Sequence, residues 1–420
     1  MQRLFIALDM PPNIESSLNV LCQGIIGARW VNTNQYHLTL CFIGKKSIGL
    51  QREIELELNE NKIFFNNGKS VQEIHPFWIR ERVDGDEFLD KGTQQRLFDP
   101  SAMNCEVAVE KAKISDGFIE INFNDGASSK IDLNKLASEF SNKDTVIKSI
   151  SKIKWDSTLK NVKNFEYKEN FFESKEMHDL LVSFYEYGFV IIKNVPTDEN
   201  FIVKFANSIG SVRRTNFGEH FNVRSKLNPN DLAYTTLHLT PHTDNPYRNP
   251  VPCIQLLHCI ENEVSGGFST LVDGYTVTEN LKQEDPETYK ILSEVKVRFR
   301  FTDKNVVLED WSELIHLDDE KNFKQVRFSP RLDYVPILEK DKLDLYYKAR
   351  KKLSDLYNSE NNRIEFKLEP KDLMMMDNHR VLHGRTKFDP KEGKRFLQGC
   401  YIDFDSTEGK LRHLKRKFSL

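Results

Sequence analysis

His242, Thr243 and Asp244 stand in a row, and a second histidine, His383, and an arginine, Arg395, follow far along the chain. Residues two apart on an extended segment point to the same face, so His242 and Asp244 can reach one metal ion. Two histidines and one carboxylate are the ligand set of a non-haem Fe(II) site with open coordination positions. Those positions can take a chelating co-substrate and dioxygen. Arg395 comes twelve residues after His383 and can hold the far carboxylate of 2-oxoglutarate as a two-point pair. Ser269 or Thr270, just after Gly266-Gly267, can add a hydroxyl to that carboxylate. Together these residues suggest an iron oxygenase.

A lone His-x-Asp says little. The chain holds another, His316-Leu317-Asp318, which runs into the polar stretch Asp318-Asp319-Glu320-Lys321 and reads as a turn. Pro241-His-Thr-Asp-Asn-Pro246 read alone is an ordinary turn, and a lone His383 or Arg395 is an ordinary surface residue. The ordered set carries the reading. His383 follows the apolar run Leu373-Met374-Met375-Met376 and sits in a polar stretch ending at Gly384.

The elements that must position these residues fall into blocks. In residues 1–57, Leu4-Phe5-Ile6-Ala7-Leu8 reads as a buried strand ended by Pro11-Pro12, residues 14–26 have helical spacing, and residues 36–43 read as a second strand. Residues 58–146 carry two hairpin signals, at Asn66-Asn67-Gly68 and Asn124-Asp125-Gly126, and predict a small, mostly β domain. Residues 147–169 are charged and aperiodic and read as a linker. Residues 170–420 open with a helix over 175–187 and a strand over 188–196 that stops at Pro196. Short strands then recur at 254–259, 270–272, 295–301, 325–328, 373–376 and 396–402. Many short strands and few long helices predict a sandwich or barrel, mainly β with flanking helices.

Composition narrows the classes. The chain has 420 residues and a net charge of −3, so a nucleic-acid role has no bulk electrostatic support. The locally basic end, Lys410 to Lys417, reads as a solvated tail. None of the six cysteines forms a C-x-x-C pair, and scattered thiols fit a reducing cytosol. No apolar stretch approaches the roughly 20 residues that span a bilayer. A cytoplasmic protein, with no nucleic-acid or membrane partner, is expected.

Several ordered motifs over residues 58–410 resemble the γ-butyrobetaine hydroxylase and trimethyllysine dioxygenase family, within the broader taurine dioxygenase-like group. They include Phe77-Trp78-Ile79-Arg80, Arg96-Leu97-Phe98-Asp99-Pro100 and Gly188-Phe189-Val190. Ala233-Tyr234-Thr235-Thr236, His242-Thr243-Asp244, Gln255-Leu256-Leu257-His258-Cys259 and Gly266-Gly267 follow. Val272-Asp273-Gly274, Val381-Leu382-His383-Gly384-Arg385 and Gly399-Cys400-Tyr401-Ile402-Asp403 complete the set. The resemblance implies a double-stranded β-helix (jelly-roll) domain, a smaller N-terminal β domain and a homodimer. It implies hydroxylation of a trimethylammonium substrate with O2, 2-oxoglutarate and Fe(II) on His242, Asp244 and His383, with ascorbate as reductant. It also implies an aromatic cage for the cation. Tyr234 and Tyr401 fall on cage positions, Phe217 and Phe221 on two more, and Asp231 beside them. Phenyl faces attract a quaternary cation, though less well than indole. Many relatives hold a structural zinc through cysteines just after Trp-x-Arg. The stretch here, Glu81 to Phe88, has no cysteine, so no zinc is expected.

The first block resembles a different family, the RNA ligase-like 2H phosphoesterases, through Arg3-Leu4-Phe5-Ile6-Ala7-Leu8-Asp9, Ala28-Arg29-Trp30-Val31 and His37-Leu38-Thr39-Leu40. That chemistry needs two His-x-Thr motifs facing one phosphate. Only the first is in place, and His238-Leu239-Thr240 belongs to the oxygenase segment, so residues 1–57 read as an inactive, partial α/β segment. A cyclic phosphodiesterase through His37 remains the competing function. Among trimethylammonium substrates, γ-butyrobetaine is favoured, with trimethyllysine and 2-(trimethylamino)ethylphosphonate as alternatives. The segment Arg327-Phe328-Ser329-Pro330-Arg331 is the candidate lining for the substrate's far end.

Overall fold

The computed structural model describes residues 2–9, 37–46, 55–59, 62–66, 71–140, 146–224 and 236–420. Contacts divide the chain into two compact units, Met1–Lys143 and Asp144–Leu420. The expected helix over 14–26, and Asp231 and Tyr234, lie outside the described residues.

In the first unit, Gln2–Asp9 pairs antiparallel with His37–Lys46. Glu55–Asn59, Lys62–Asn66 and Val71–Ile74 form a three-stranded antiparallel sheet. A second such sheet joins Val109–Ser115, Phe118–Phe123 and Ser128–Asp132. Alternation in Phe118–Phe123 turns Ile119, Ile121 and Phe123 inward, where they pack with Ile63, Ile79 and Leu136. Arg80 bonds Asp125 at 2.7 Å and lies over the Phe98 ring.

The second unit is built on two antiparallel sheets. The larger runs in the order His220–Val223, Arg395–Ile402, Ile254–Asn262, Leu373–Asp377, Phe189–Lys193, with Asn164–Glu166 added in parallel at its edge. The smaller runs Leu239–His242, Val381–Arg385, Ser269–Asp273, Arg363–Phe366. Leu271 and Ile364 of the smaller sheet meet Met374, Met376 and Leu397 of the larger in one buried cluster, consistent with a jelly roll. The larger sheet is covered on its other face too. There Ile254, Leu256, Met375 and Ile402 pack on Leu180, Phe184, Leu411 and Leu414 from helices. Burial on both faces is why 373–376 reads as an unbroken apolar run.

Local signals set the order of elements. Ser174 caps the helix Lys175–Tyr187 by accepting from the Met177 N–H at 3.1 Å. Gly188 ends it at φ +79°, and a Cβ there would lie 2.9 Å from Arg380 and Val381. The Arg380 guanidinium is itself buried, bonded twice to Asp273 at 2.9 Å and to the Glu186 and Ile153 carbonyls. It ties the helix to both sheets.

Several regions differ from the sequence expectation, among them His316-Leu317, which reads as a turn and lies in the strand Ile315–Leu317. The stretch 147–169, read as a linker, is packed onto the second unit: Trp155 is 5% exposed and its indole N–H donates to the Tyr187 carbonyl at 2.7 Å. One buried side chain anchors it without any periodic pattern. The basic C-terminus is the helix Phe404–Phe418 rather than a solvated tail, with Thr407, Leu411 and Leu414 buried. Its outer face turns Lys410, His413 and Lys417 onto Glu173. Long helices are also present. Lys340–Asn358 buries Tyr346, Ala349, Leu353 and Tyr357, a helical stripe, against the Phe299 and Val326 cluster.

Candidate active site

The strands Leu239–His242 and Val381–Arg385 pair antiparallel, and His242 lies directly opposite His383. Cross-strand partners share a face, so two histidines far apart in sequence become neighbours. Their ring centroids are 4.5 Å apart. Asp244, two residues on, places Oδ1 3.4 Å from His242 Nε2 and 3.7 Å from His383 Nε2. The three ligand atoms all lie within 4.8 Å of one another. Gly384 permits the close pairing, because a Cβ there would sit 2.5 Å from the Leu239 carbonyl.

Protonation states suit a cation. His242 Nδ1 lies 3.0 Å from the Thr240 carbonyl, a partner that fixes the proton on Nδ1 and leaves Nε2 to ligate. Burial lowers the His383 pKa to about 4, so this imidazole is neutral near pH 7. Burial opposes ionisation of Asp244, but His383, His242 and the Tyr401 hydroxyl outweigh it and hold the carboxyl well below its usual range. Asp244 Oδ2 accepts from Gln255 Nε2 at 2.6 Å and from Tyr401 at 2.7 Å. Asn378 Oδ1 accepts the Asp244 N–H at 2.7 Å, while its Nδ2 donates to the Asp244 carbonyl at 3.0 Å.

The triad stands in the wall of a cavity with about 960 Å³ of empty space, part of it open to solvent. Arg395 and Ser269 line the same cavity. The Arg395 Nε is buried with no hydrogen-bond partner among the described residues, while its Nη2 reaches the Gly267 carbonyl at 3.3 Å. Arg385 joins it, and both guanidiniums lie over the Phe388 ring, at 5.0 Å and 5.3 Å. Burial, with Arg385 nearby, lowers the Arg395 pKa to about 10, so it stays charged at neutral pH. Ser269 pairs with Arg385 and Leu271 with His383, so Ser269 faces inward. Thr270 is placed on the opposite face: it is fully buried, and its hydroxyl lies against Gly384. Of the two, Ser269 lines the cavity and Thr270 does not.

Phe217, Phe221 and Tyr401 also line the cavity. Phe221 and Tyr401 have ring centroids 5.4 Å apart, and the Phe221 ring covers Gly399, its cross-strand partner. The Tyr401 hydroxyl, expected only as part of a cage, is committed to Asp244. Of the 327–331 segment, Ser329 and Arg331 line the cavity. Arg327 instead is buried in an ion pair with Asp310 at 2.5 Å.

Sequence reading missed Gln255, Asn378 and Arg385 as parts of the site. Gln255 carried a signal, since it is the polar residue at an inward position of the apolar strand Ile254–Asn262. Arg385 lay two residues beyond His383, a spacing that shares a face once 381–385 is read as a strand. Asn378 carried none, because it acts on the Asp244 backbone across the fold.

The donor set fits Fe(II): two imidazoles and one ionised carboxylate. The buried, unpartnered Arg395 Nε fits a carboxylate such as that of 2-oxoglutarate.

A profile of the family described as "Taurine catabolism dioxygenase TauD, TfdA family" matches residues 157–401. The chain is 28% identical over 351 residues to a γ-butyrobetaine dioxygenase of Pseudomonas sp. (strain AK-1), covering 82% of this chain and 91% of that one. It is 35% identical over 223 residues to the γ-butyrobetaine dioxygenase of Homo sapiens, covering 51% and 57%. It is 26% identical over 395 residues to the mitochondrial trimethyllysine dioxygenase of Rattus norvegicus, covering 89% of each.

Proposed function

We propose that this chain, which belongs to the taurine catabolism dioxygenase TauD, TfdA family, hydroxylates a trimethylammonium substrate, γ-butyrobetaine first among the candidates. It is an Fe(II)- and 2-oxoglutarate-dependent dioxygenase. The observation that carries the proposal is one cavity lined by the His242, Asp244 and His383 triad, by Arg395, and by the Phe217, Phe221 and Tyr401 rings. When bound, iron with 2-oxoglutarate would activate dioxygen, one oxygen atom of which would go to an unactivated C–H bond of the substrate and the other to the succinate released with carbon dioxide.

The chain's own work is placement. His242 and His383 offer Nε2 atoms and Asp244 offers Oδ1 from one side of the cavity. Arg395, with Ser269 on the same wall, receives the far carboxylate of 2-oxoglutarate. The aromatic faces hold the cation without a hydrogen bond, as a quaternary ammonium requires. Arg331 gives the cavity a positive group suited to an anionic far end, carboxylate or phosphonate. Trimethyllysine and 2-(trimethylamino)ethylphosphonate therefore stay as alternative substrates, and relatives of both the butyrobetaine and trimethyllysine kinds support the range. Ascorbate as reductant, a homodimeric assembly and a cytoplasmic setting complete the reading. No described helix is long and apolar enough to cross a membrane.

The phosphodiesterase reading is not favoured. Its second His-x-Thr, His238-Leu239-Thr240, lies in the second unit, where the Thr240 carbonyl serves His242.

The test is succinate release with iron, ascorbate and 2-oxoglutarate across γ-butyrobetaine, trimethyllysine, the phosphonate and a neutral tert-butyl analogue. Turnover of one cationic substrate, its near loss with the neutral analogue and its abolition in His242→Ala are expected. Equal turnover of the neutral analogue would overturn the cage, and unchanged turnover in His242→Ala the triad.

A further inference from the structure

A carboxylate can ligate a metal through one oxygen or both, and the choice decides how many positions remain for co-substrate and dioxygen. The two Asp244 oxygens differ sharply. Oδ1 faces His242 Nε2 and His383 Nε2 at 3.4 Å and 3.7 Å. Oδ2 accepts two hydrogen bonds, from Gln255 Nε2 at 2.6 Å and from the Tyr401 hydroxyl at 2.7 Å. Both donors are buried, at 3% and 4% exposure. Hydrogen bonds to an ionised acceptor are about twice as strong as neutral ones. Turning Oδ2 toward a metal would give up both.

The donors are themselves held. Asn245 Nδ2 donates to the Tyr401 oxygen at 3.0 Å, and the Tyr247 hydroxyl donates to Asn245 Oδ1 at 2.5 Å. The Tyr401 hydroxyl thus receives one bond and passes its own proton toward Asp244. Gln255 sits on a central strand of the larger sheet, paired on one side with Met376 and on the other with Tyr401 itself. The two donors are cross-strand partners, and the pairing register aims both at one oxygen.

We infer that Gln255 and Tyr401 are positioning residues that restrict Asp244 to single-oxygen ligation through Oδ1. The inference rests on the iron-site reading above and gives the wall of the cage a second duty. Tyr401 meets the Phe221 ring with its own ring, tilted by 34°, and Asp244 with its hydroxyl.

The experiment is an anaerobic Co(II) titration of the full chain, followed by visible absorption, with Co(II) standing in for Fe(II). The parent is compared with Tyr401→Phe, Gln255→Met, the double variant and Trp311→Phe, a change at an exposed residue on the strand Val306–Ser312. Removing an outer partner of a metal ligand costs about 10–100-fold in metal affinity. Tyr401→Phe and Gln255→Met are each expected to weaken Co(II) at least about ten-fold and to shift its absorption bands as the second oxygen joins. Trp311→Phe is expected to match the parent in both.

Parent-like affinity and bands in Tyr401→Phe and Gln255→Met would overturn the inference. So would a lower melting temperature with unaltered bands, the mark of a purely structural role. If Gln255→Met does not fold, Tyr401→Phe, which removes one oxygen and keeps the ring, carries the test alone. A parent that binds no Co(II) would instead overturn the metal site itself.

Discussion

Asn378 holds Asp244 by both of its backbone groups, accepting the N–H at 2.7 Å and donating to the carbonyl at 3.0 Å. The same amide nitrogen reaches the Pro252 carbonyl at 2.9 Å. A side chain here does what a neighbouring strand does elsewhere: it completes the backbone bonding of a segment that has left the sheet. Asp244 follows the end of Leu239–His242, so Asn378 gives its N–H and carbonyl the partners that a strand neighbour would give.

Asn378→Leu is therefore expected to leave the Asp244 N–H and carbonyl without these partners, costing about 1–3 kcal/mol for each buried polar group left unpaired. The variant should unfold at lower denaturant and bind Fe(II) more weakly. Chemical denaturation and metal titration read the two effects. A variant as stable as the parent would show that water replaces Asn378 at no cost.

Arg395→Met removes a charged partner from the 2-oxoglutarate end of the cavity. Charge-assisted hydrogen bonds contribute about 1.5–3 kcal/mol, so KM for 2-oxoglutarate is expected to rise at least about ten-fold. KM for the quaternary amine should move much less. Arg385→Met should show the same split more weakly, since Arg385 shares the Phe388 ring but also serves the Leu237 carbonyl. Steady-state kinetics with each substrate varied in turn checks it. Equal effects on both KM values would place these arginines elsewhere in the mechanism.

The Arg380–Asp273 pair is almost fully buried and doubly bonded. Removing one partner of such a pair strands a charge in the interior and costs about 3–5 kcal/mol. Arg380→Met is expected to destabilise the second unit by that amount. Urea unfolding followed by fluorescence measures it, and a loss under about 1 kcal/mol would contradict the assignment.

Asp377 supplies a pH dependence. Burial raises its pKa from 3.8 to about 6, against the hydrogen bond from the His379 N–H at 2.8 Å. A carboxyl whose pKa rises on folding favours the folded state when protonated. That contribution is complete below 3.8 and is lost as pH climbs through about 6. Asp377→Asn keeps an acceptor for His379 and carries no charge. It should raise the melting temperature near neutral pH, with the gain shrinking as pH falls toward 4. Thermal melts across that range check the sign, and a variant less stable than the parent at neutral pH would refute it.

Much of this was written in local sequence. The ligand residues declared themselves by type and order, because iron oxygen chemistry needs two imidazoles and a carboxylate whatever surrounds them. The helix Lys175–Tyr187 and the strands around Ile254, Leu373 and Arg395 were legible because period and run length are properties of short segments. The departures share a cause. Trp155 anchors an aperiodic stretch, and the C-terminal helix hides its buried Leu411 and Leu414 among lysines and arginines. In both, distant partners decide the environment.

The sequence by itself determined which groups are available: the triad, Arg395 and the ring faces of Phe217, Phe221 and Tyr401. Only the tertiary structure decided how they are used. Strand register set His242 against His383, turned Ser269 inward and Thr270 away, and aimed Gln255 and Tyr401 at a single oxygen of Asp244. The physical reason is that the side-chain period of a strand is two, so pairing register assigns every residue its face and its neighbours. Register is settled across the sheets, between segments that the linear order keeps far apart.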